Sequence, residues 1–220
     1  MVRSTATGLV PALREWIRLM ALTFFTNPQS RGRIVRWMLE EVGEPYETVI
    51  LPYGEAMKSP EFLALNPMGK VPTIRHDGTA VSESAAICAY LADVFPAAGL
   101  APPPAERGAY YRAMFFAAGP LEAAITARTL KLEPPAERAQ SVGFGSFDAT
   151  VAGLEALVAQ HDFIAGPKFS AADVYLGSQV IFALMFDGLP KTPTLEAYLA
   201  RITGREALRR ANEIDDSLAN

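Results

Sequence analysis

The chain has 220 residues, half of them hydrophobic and 20% charged, which is enough apolar material for one large domain or two small ones and excludes a disordered chain. A formal net charge of −4 leaves no basic footprint for a nucleic acid, and no apolar run reaches the length of a membrane span. The lone cysteine, Cys88, allows no internal disulfide and fits a reducing cytoplasm, while His76 and His161 stand far apart without cysteine neighbours, which argues against a metal site.

Residues 1–20 carry Arg3, Arg14 and Arg18 against one acid, Glu15. They read as an N-terminal extension; a targeting presequence is the rival, but no cleavage pattern accompanies it. Residues 22–26 are a run of β-formers and are expected to form a buried strand. Asn27-Pro28-Gln29-Ser30 then breaks the chain with helix-start chemistry. Ile34, Val35, Met38, Leu39 and Val42 recur at helical spacing until Gly43 and Pro45. A second strand is expected over 46–51, a short helix over 60–65 and a third strand over 71–75. His76-Asp77-Gly78-Thr79 supplies an Asp-Gly turn into a fourth strand at Ala80-Val81. Residues 83–94 read as a helix with Ile87, Tyr90, Leu91 and Val94 on one face.

The order βαβ, helix, β-hairpin, helix can close a small mixed sheet flanked by helices, an α/β domain over residues 21–95. Residues 96–104 hold four prolines and one glycine and form the linker. Beyond it strand signals vanish. Residues 106–130, 136–160, 171–185 and 194–208 are expected as helices of an all-helical domain over 105–220, with Pro120 kinking the first.

Three local patterns carry chemistry. Glu83-Ser84 opens a helix, where free N–H groups and the positive dipole end favour an anion; a plain N-cap at Ser82 or Ser84 is the alternative. Ser30 stands at the start of the first helix, where its hydroxyl either caps the helix or donates to a ligand. Pro72 follows Val71 at a strand start, where a proline sits without breaking a sheet. Cys88 lies mid-helix among alanines and reads as an inert core residue, and no Cys-x-x-Cys motif supports a redox protein of the thioredoxin or glutaredoxin kind.

The run Asn66-Pro67-Met68-Gly69-Lys70-Val71-Pro72 resembles the Asn-Pro-x-Gly-x-Val-Pro signature of cytosolic glutathione transferases, and Glu83-Ser84 resembles that family's second signature. Residues 21–95 are similar to the family throughout; the helical remainder matches in layout. The resemblance implies a thioredoxin-like N-terminal domain followed by an all-helical C-terminal domain, with glutathione as co-substrate and no metal. It implies a cis Val71–Pro72 bond that turns the Val71 N–H and C=O toward an extended peptide, here the cysteinyl unit of glutathione. Ser84 would meet the γ-glutamyl carboxylate, Glu83 the γ-glutamyl ammonium and Lys70 the glycyl carboxylate.

Ser30 would be the serine-type activator of the thiol, with Thr26, Asn27 and Gln29 as rivals. Tyr110, Tyr111, Met114 and Phe115, in the first helix after the linker, would wall the pocket for an apolar electrophile, or else serve core or dimer interface. Phe169-Ser170-Ala171-Ala172-Asp173-Val174 looks like the family's capping box with a hydrophobic staple. The activity implied is transfer of glutathione to an apolar electrophile in a cytoplasmic detoxification enzyme. Glutathione-dependent disulfide or peroxide reduction, a specialised role on one catabolic intermediate, and a non-catalytic binding protein are the alternatives. A homodimer is expected, through residues 85–91 and 106–116.

Overall fold

A computed structural model describes residues 22–219; the extension assigned to residues 1–20 lies outside the described residues. The strands are β1 (Leu22–Thr26), β2 (Tyr46–Ile50), β3 (Thr73–His76) and β4 (Thr79–Ser82). They form one sheet in the order β2-β1-β3-β4. β1 and β2 run parallel, with Phe24 opposite Thr48, while β3 is antiparallel to both β1 and β4. A parallel pair needs a crossover, and α1 (Gly32–Val42) supplies it. α2 (Pro60–Leu65) and α3 (Ser84–Val94) complete the module, which is the thioredoxin-like arrangement expected from the sequence.

Phe24, Ile34, Val35, Met38, Ile74, Ile87 and Leu91 are buried between sheet and helices. α1 is sharply amphipathic and ends as its sequence requires: Gly43 takes φ 76°, and its N–H bonds the Leu39 carbonyl. The third strand begins two residues later than the sequence suggested, at Thr73, so Val71 and Pro72 stand outside the ladder. Residues 96–104 connect the two parts and include a short 3-10 turn at Pro96–Ala98.

The second part contains no strand among the described residues. Its helices are α4 (Gly108–Phe116), α5 (Glu122–Thr129), α6 (Phe147–Val158), α7 (Ala171–Met185), α8 (Pro193–Ile202) and α9 (Glu206–Leu218). Pro120 does split the helix expected over 106–130, through a π-helical turn at Ala117–Leu121. The helix expected over 136–160 is a correction: it is a 3-10 segment, Ala136–Ser141, then α6 capped by the Ser146 side chain, with Gly143 and Gly145 between. The helix expected over 194–208 is likewise two, divided at Gly204, and the second runs on to Leu218.

α7 is buried along most of its length and packs on α1, α3, α4 and α8. Its N-terminus is fixed by Asp173, whose carboxylate accepts from the Ser170 N–H at 3.0 Å, the Ser170 hydroxyl at 3.0 Å, the Ile164 N–H at 2.8 Å and the Tyr198 hydroxyl at 3.1 Å. These bonds hold Asp173 against the burial that pushes its carboxyl upward from the usual range. Phe169 faces the Trp37 and Phe163 rings, with the Arg205 guanidinium 3.7 Å from its centroid.

Candidate functional site

A cleft of about 1670 Å³ lies between the two parts. Its first wall comes from the α/β module. Two loops form it, and each is held by its own side chains. In the loop before β3, buried Asn66 donates from Nδ2 to the Lys70 carbonyl at 2.8 Å and the Thr73 hydroxyl at 3.2 Å, and its Oδ1 accepts from the Met68 N–H at 3.1 Å. Gly69 turns there at φ 57°, with the Met57 carbonyl 2.4 Å from where a Cβ would stand. Only glycine fits that approach. The consequence is that Lys70 and Val71 face the cleft, after a loop that leaves little freedom. The Val71–Pro72 bond is cis, as the family resemblance implied.

The second loop joins β1 to α1. Asn27 anchors it, donating from Nδ2 to the Leu51 carbonyl at 3.1 Å and accepting at Oδ1 from the Gln29 N–H at 3.0 Å. Gly32 lets α1 start close against β1, because a Cβ there would meet the Thr26 hydroxyl at 1.9 Å. Ser30 lines the cleft. Its hydroxyl donates to the Asn27 carbonyl at 2.7 Å and accepts from the Gly32 N–H at 2.9 Å. The helix-start role and the place in the cleft therefore coexist. Of the rivals, Gln29 also lines the cleft, whereas Thr26 is fully buried.

Glu83 and Ser84 stand at the start of α3, outside the residues that line this cleft. Neither Ser82 nor Ser84 caps the helix. The N-cap position belongs to Glu83, with no side-chain bond, and Glu83 takes φ 68° and ψ 119°. A non-glycine residue in that conformation is strained. The first-turn N–H groups of α3 are thus left for another acceptor.

The opposite wall comes from three helices: apolar Ile125 and Leu130 from α5 and its C-cap, apolar Phe182, Met185 and Phe186 at the end of α7, and polar Asn212 and Asp216 from α9. Leu130, Met185 and Phe186 are exposed at its rim, an unusual outlay of large apolar side chains. The four residues expected to form this wall do not. Tyr110 and Met114 are core residues, 1% and 4% exposed, because α4 spends its apolar stripe on packing against α7. Tyr111 and Phe115 are exposed but do not line the cleft. The sequence did not point to these lining residues because they lie far apart along the chain. Their signal was an excess of apolar residues after a helix should have stopped, as in Met185-Phe186.

Residues 30–94 match the family profile of the glutathione S-transferase N-terminal domain. Glutathione S-transferase GstB of Escherichia coli strain K12 is 32% identical over 195 residues, 84% of this chain and 93% of that protein. The chain belongs to the glutathione S-transferase family. A maleylacetoacetate isomerase of Rhizobium meliloti strain 1021 is 31% identical over 189 residues, 81% of this chain and 89% of that one. Among solved structures, a sphingomonad glutathione S-transferase complexed with glutathione superposes with a TM-score of 0.70 at 28% identity, covering 88% of this chain and 98% of that one. The likeness to these transferases spans both the α/β module and the helical part.

Among the described residues no group of three His, Cys, Asp or Glu side chains is placed to hold a metal. No helix among them is long and apolar enough to cross a membrane. Cys88 is fully buried in α3, and burial pushes its thiol well above the usual range, so it supplies no nucleophile at neutral pH.

Proposed function

We propose that the protein is a glutathione transferase that ionises the glutathione thiol and directs it at an apolar electrophile. The observation that carries this reading is the juxtaposition in one cleft of Ser30 and Val71 with a facing wall of Ile125, Leu130, Phe182, Met185 and Phe186. Val71, outside the sheet ladder, offers its backbone to the cysteinyl unit as an added strand. Ser84 and the free N–H groups of α3 receive the γ-glutamyl carboxylate, Glu83 its ammonium, and exposed Lys70 the glycyl carboxylate. Ser30 turns its hydroxyl from the Asn27 carbonyl to the sulfur, stabilising the thiolate. The thiol proton leaves to water; the sulfur lone pair forms the C–S bond, and the displaced pair departs with the leaving group or moves into the substrate's conjugated system.

Ser30→Ala tests the assignment. The lost bond to a charged atom is worth roughly 1.5–3 kcal/mol, so kcat at neutral pH should fall about 10- to 150-fold. Glutathione affinity should change less. An unchanged kcat would return Ser30 to a purely structural role and put Gln29 next in line.

The likeness to a maleylacetoacetate isomerase favours a second reading. The same thiolate adds reversibly to a conjugated double bond and then leaves, so glutathione is regenerated rather than consumed. Following glutathione loss alongside substrate loss separates the two. We also propose a homodimer working in the cytoplasm. Tyr111 and Phe115, both exposed on α4, suit the interface expected over residues 85–91 and 106–116. Light scattering at micromolar concentration should return twice the chain mass, and Phe115→Asp should lower it; a wild-type monomer would refute the dimer.

A further inference from the structure

We infer that Arg33 is a positioning residue that ties the Ser30 loop to the last helix, so that α9 governs how the hydroxyl meets the thiol; this rests on the reading of Ser30 given above. Arg33 lies in the first turn of α1, where the positive dipole end disfavours a cation. Its place there calls for a partner. It has two: Nε donates to the Pro28 carbonyl at 2.7 Å, and Nη2 donates to Asp216 Oδ1 at 2.6 Å.

An ion pair with Asp216 67% exposed adds little to stability. What a planar, forked guanidinium adds is orientation. Pro28 is buried and has no N–H, so its carbonyl direction sets the plane of the peptide that leads into Gln29 and Ser30. The inner side of this loop is fixed by Asn27 onto Leu51. Its outer side is fixed by Arg33.

Asp216 is a firm anchor because α9 is itself locked to α1. Arg36 pairs with Asp215 at 3.1 Å, both 1% exposed; Glu40 pairs with Arg210 at 3.1 Å and Glu41 with Arg205 at 2.6 Å. The paired residues of α1 run Arg33, Arg36, Glu40 and Glu41, and their partners at α9 and its N-cap run Asp216, Asp215, Arg210 and Arg205. The two helices run in opposite directions and meet with opposite signs at these four pairs. A displacement of α9, which also carries Asn212 into the cleft, is transmitted through Asp216 and Arg33 to the Pro28 peptide.

The test uses the full chain with Asp216→Asn and Arg33→Lys, and Glu213→Gln, which faces Arg209 on its own helix, as the control. Three quantities are read: kcat with the KM for glutathione, the thiol titration of bound glutathione, and amide hydrogen exchange over residues 27–32. Asp216→Asn should lower kcat roughly 3- to 30-fold with the glutathione KM nearly unchanged. It should raise the titration midpoint and speed exchange at Gln29 and Ser30, with the melting temperature close to wild type. Arg33→Lys should not rescue, since an ammonium reaches the carbonyl or the carboxylate but cannot hold both in plane. Unaltered exchange and kcat in both variants would overturn the inference. A raised glutathione KM with unaltered kcat and titration would also overturn it, by making Arg33 a direct contact. If wild type leaves the bound thiol untouched, the reading of Ser30 falls by itself; the exchange arm still decides whether α9 holds the loop.

Discussion

The two walls of the cleft are built in opposite ways. The α/β wall is sequence-local: Asn66, Gly69, Lys70 and Val71 sit in one six-residue stretch, and Asn27 and Ser30 in another of four. Each stretch is shaped by its own side chains bonding its own backbone. The helical wall is assembled from α5, α7 and α9, residues that meet only once the bundle has packed. Glutathione, one fixed ligand, is assigned to the first wall. The variable partner is assigned to the second, where substitution of a helix end alters the pocket without disturbing a loop network.

Predictions follow from trying to damage one wall without the other. The largest effect belongs to neither wall but to the bundle that builds the second. Asp173→Ala leaves four buried donors without their acceptor and should cost roughly 3–5 kcal/mol in a urea unfolding experiment. A loss below about 1 kcal/mol would mean that α7 is held by packing alone.

Next in size is Ser84→Ala, at the start of α3 outside the cleft lining, which removes the bond proposed to the γ-glutamyl carboxylate. Glutathione affinity measured by calorimetry should fall about 10- to 150-fold with the electrophile KM unchanged. A matching rise in the electrophile KM would join what the comparison separates. Phe182→Ala is the converse. It strips apolar surface from the helical wall and should raise the electrophile KM roughly 5- to 30-fold while glutathione affinity holds.

The smallest effect concerns Cys88. Burial raises its thiol above the unfolded value, so the folded chain holds the proton more tightly. Its contribution to stability is then fully present below about pH 8.5 and is lost as pH rises beyond that toward the folded value. Alkylation at pH 8 should label no thiol in the native protein and one after unfolding. Native labelling would place a reactive thiol in α3.

Legibility in the sequence followed the same division. The α/β module could be read almost to its ends, because Gly43, the Asp77-Gly78 turn and the Asn66–Val71 block each force a local geometry. The strand start at Thr73 differed because Pro72 has no N–H to give to the ladder, so pairing begins after it. In the helical part the existence of helices was legible and their limits were not. Gly143, Gly145 and Gly204 ended helices that the apolar pattern carried onward. The aromatic stripe Tyr110, Tyr111, Met114 and Phe115 was legible as apolar, but which helix it would face depended on the packing of α7. Nothing in the sequence near Arg33 and Arg36 marked their partners. The clue was their mirrored order in the last helix, a pairing across more than 170 residues of chain.

The most direct test of the account is the thiol titration of glutathione bound to the wild-type protein, followed by thiolate absorbance. The account predicts a midpoint below the ordinary thiol value of about 8.5, and a return toward that value in Ser30→Ala. A midpoint for the bound thiol equal to that of free glutathione would contradict it, and would leave a cleft that holds glutathione without activating it.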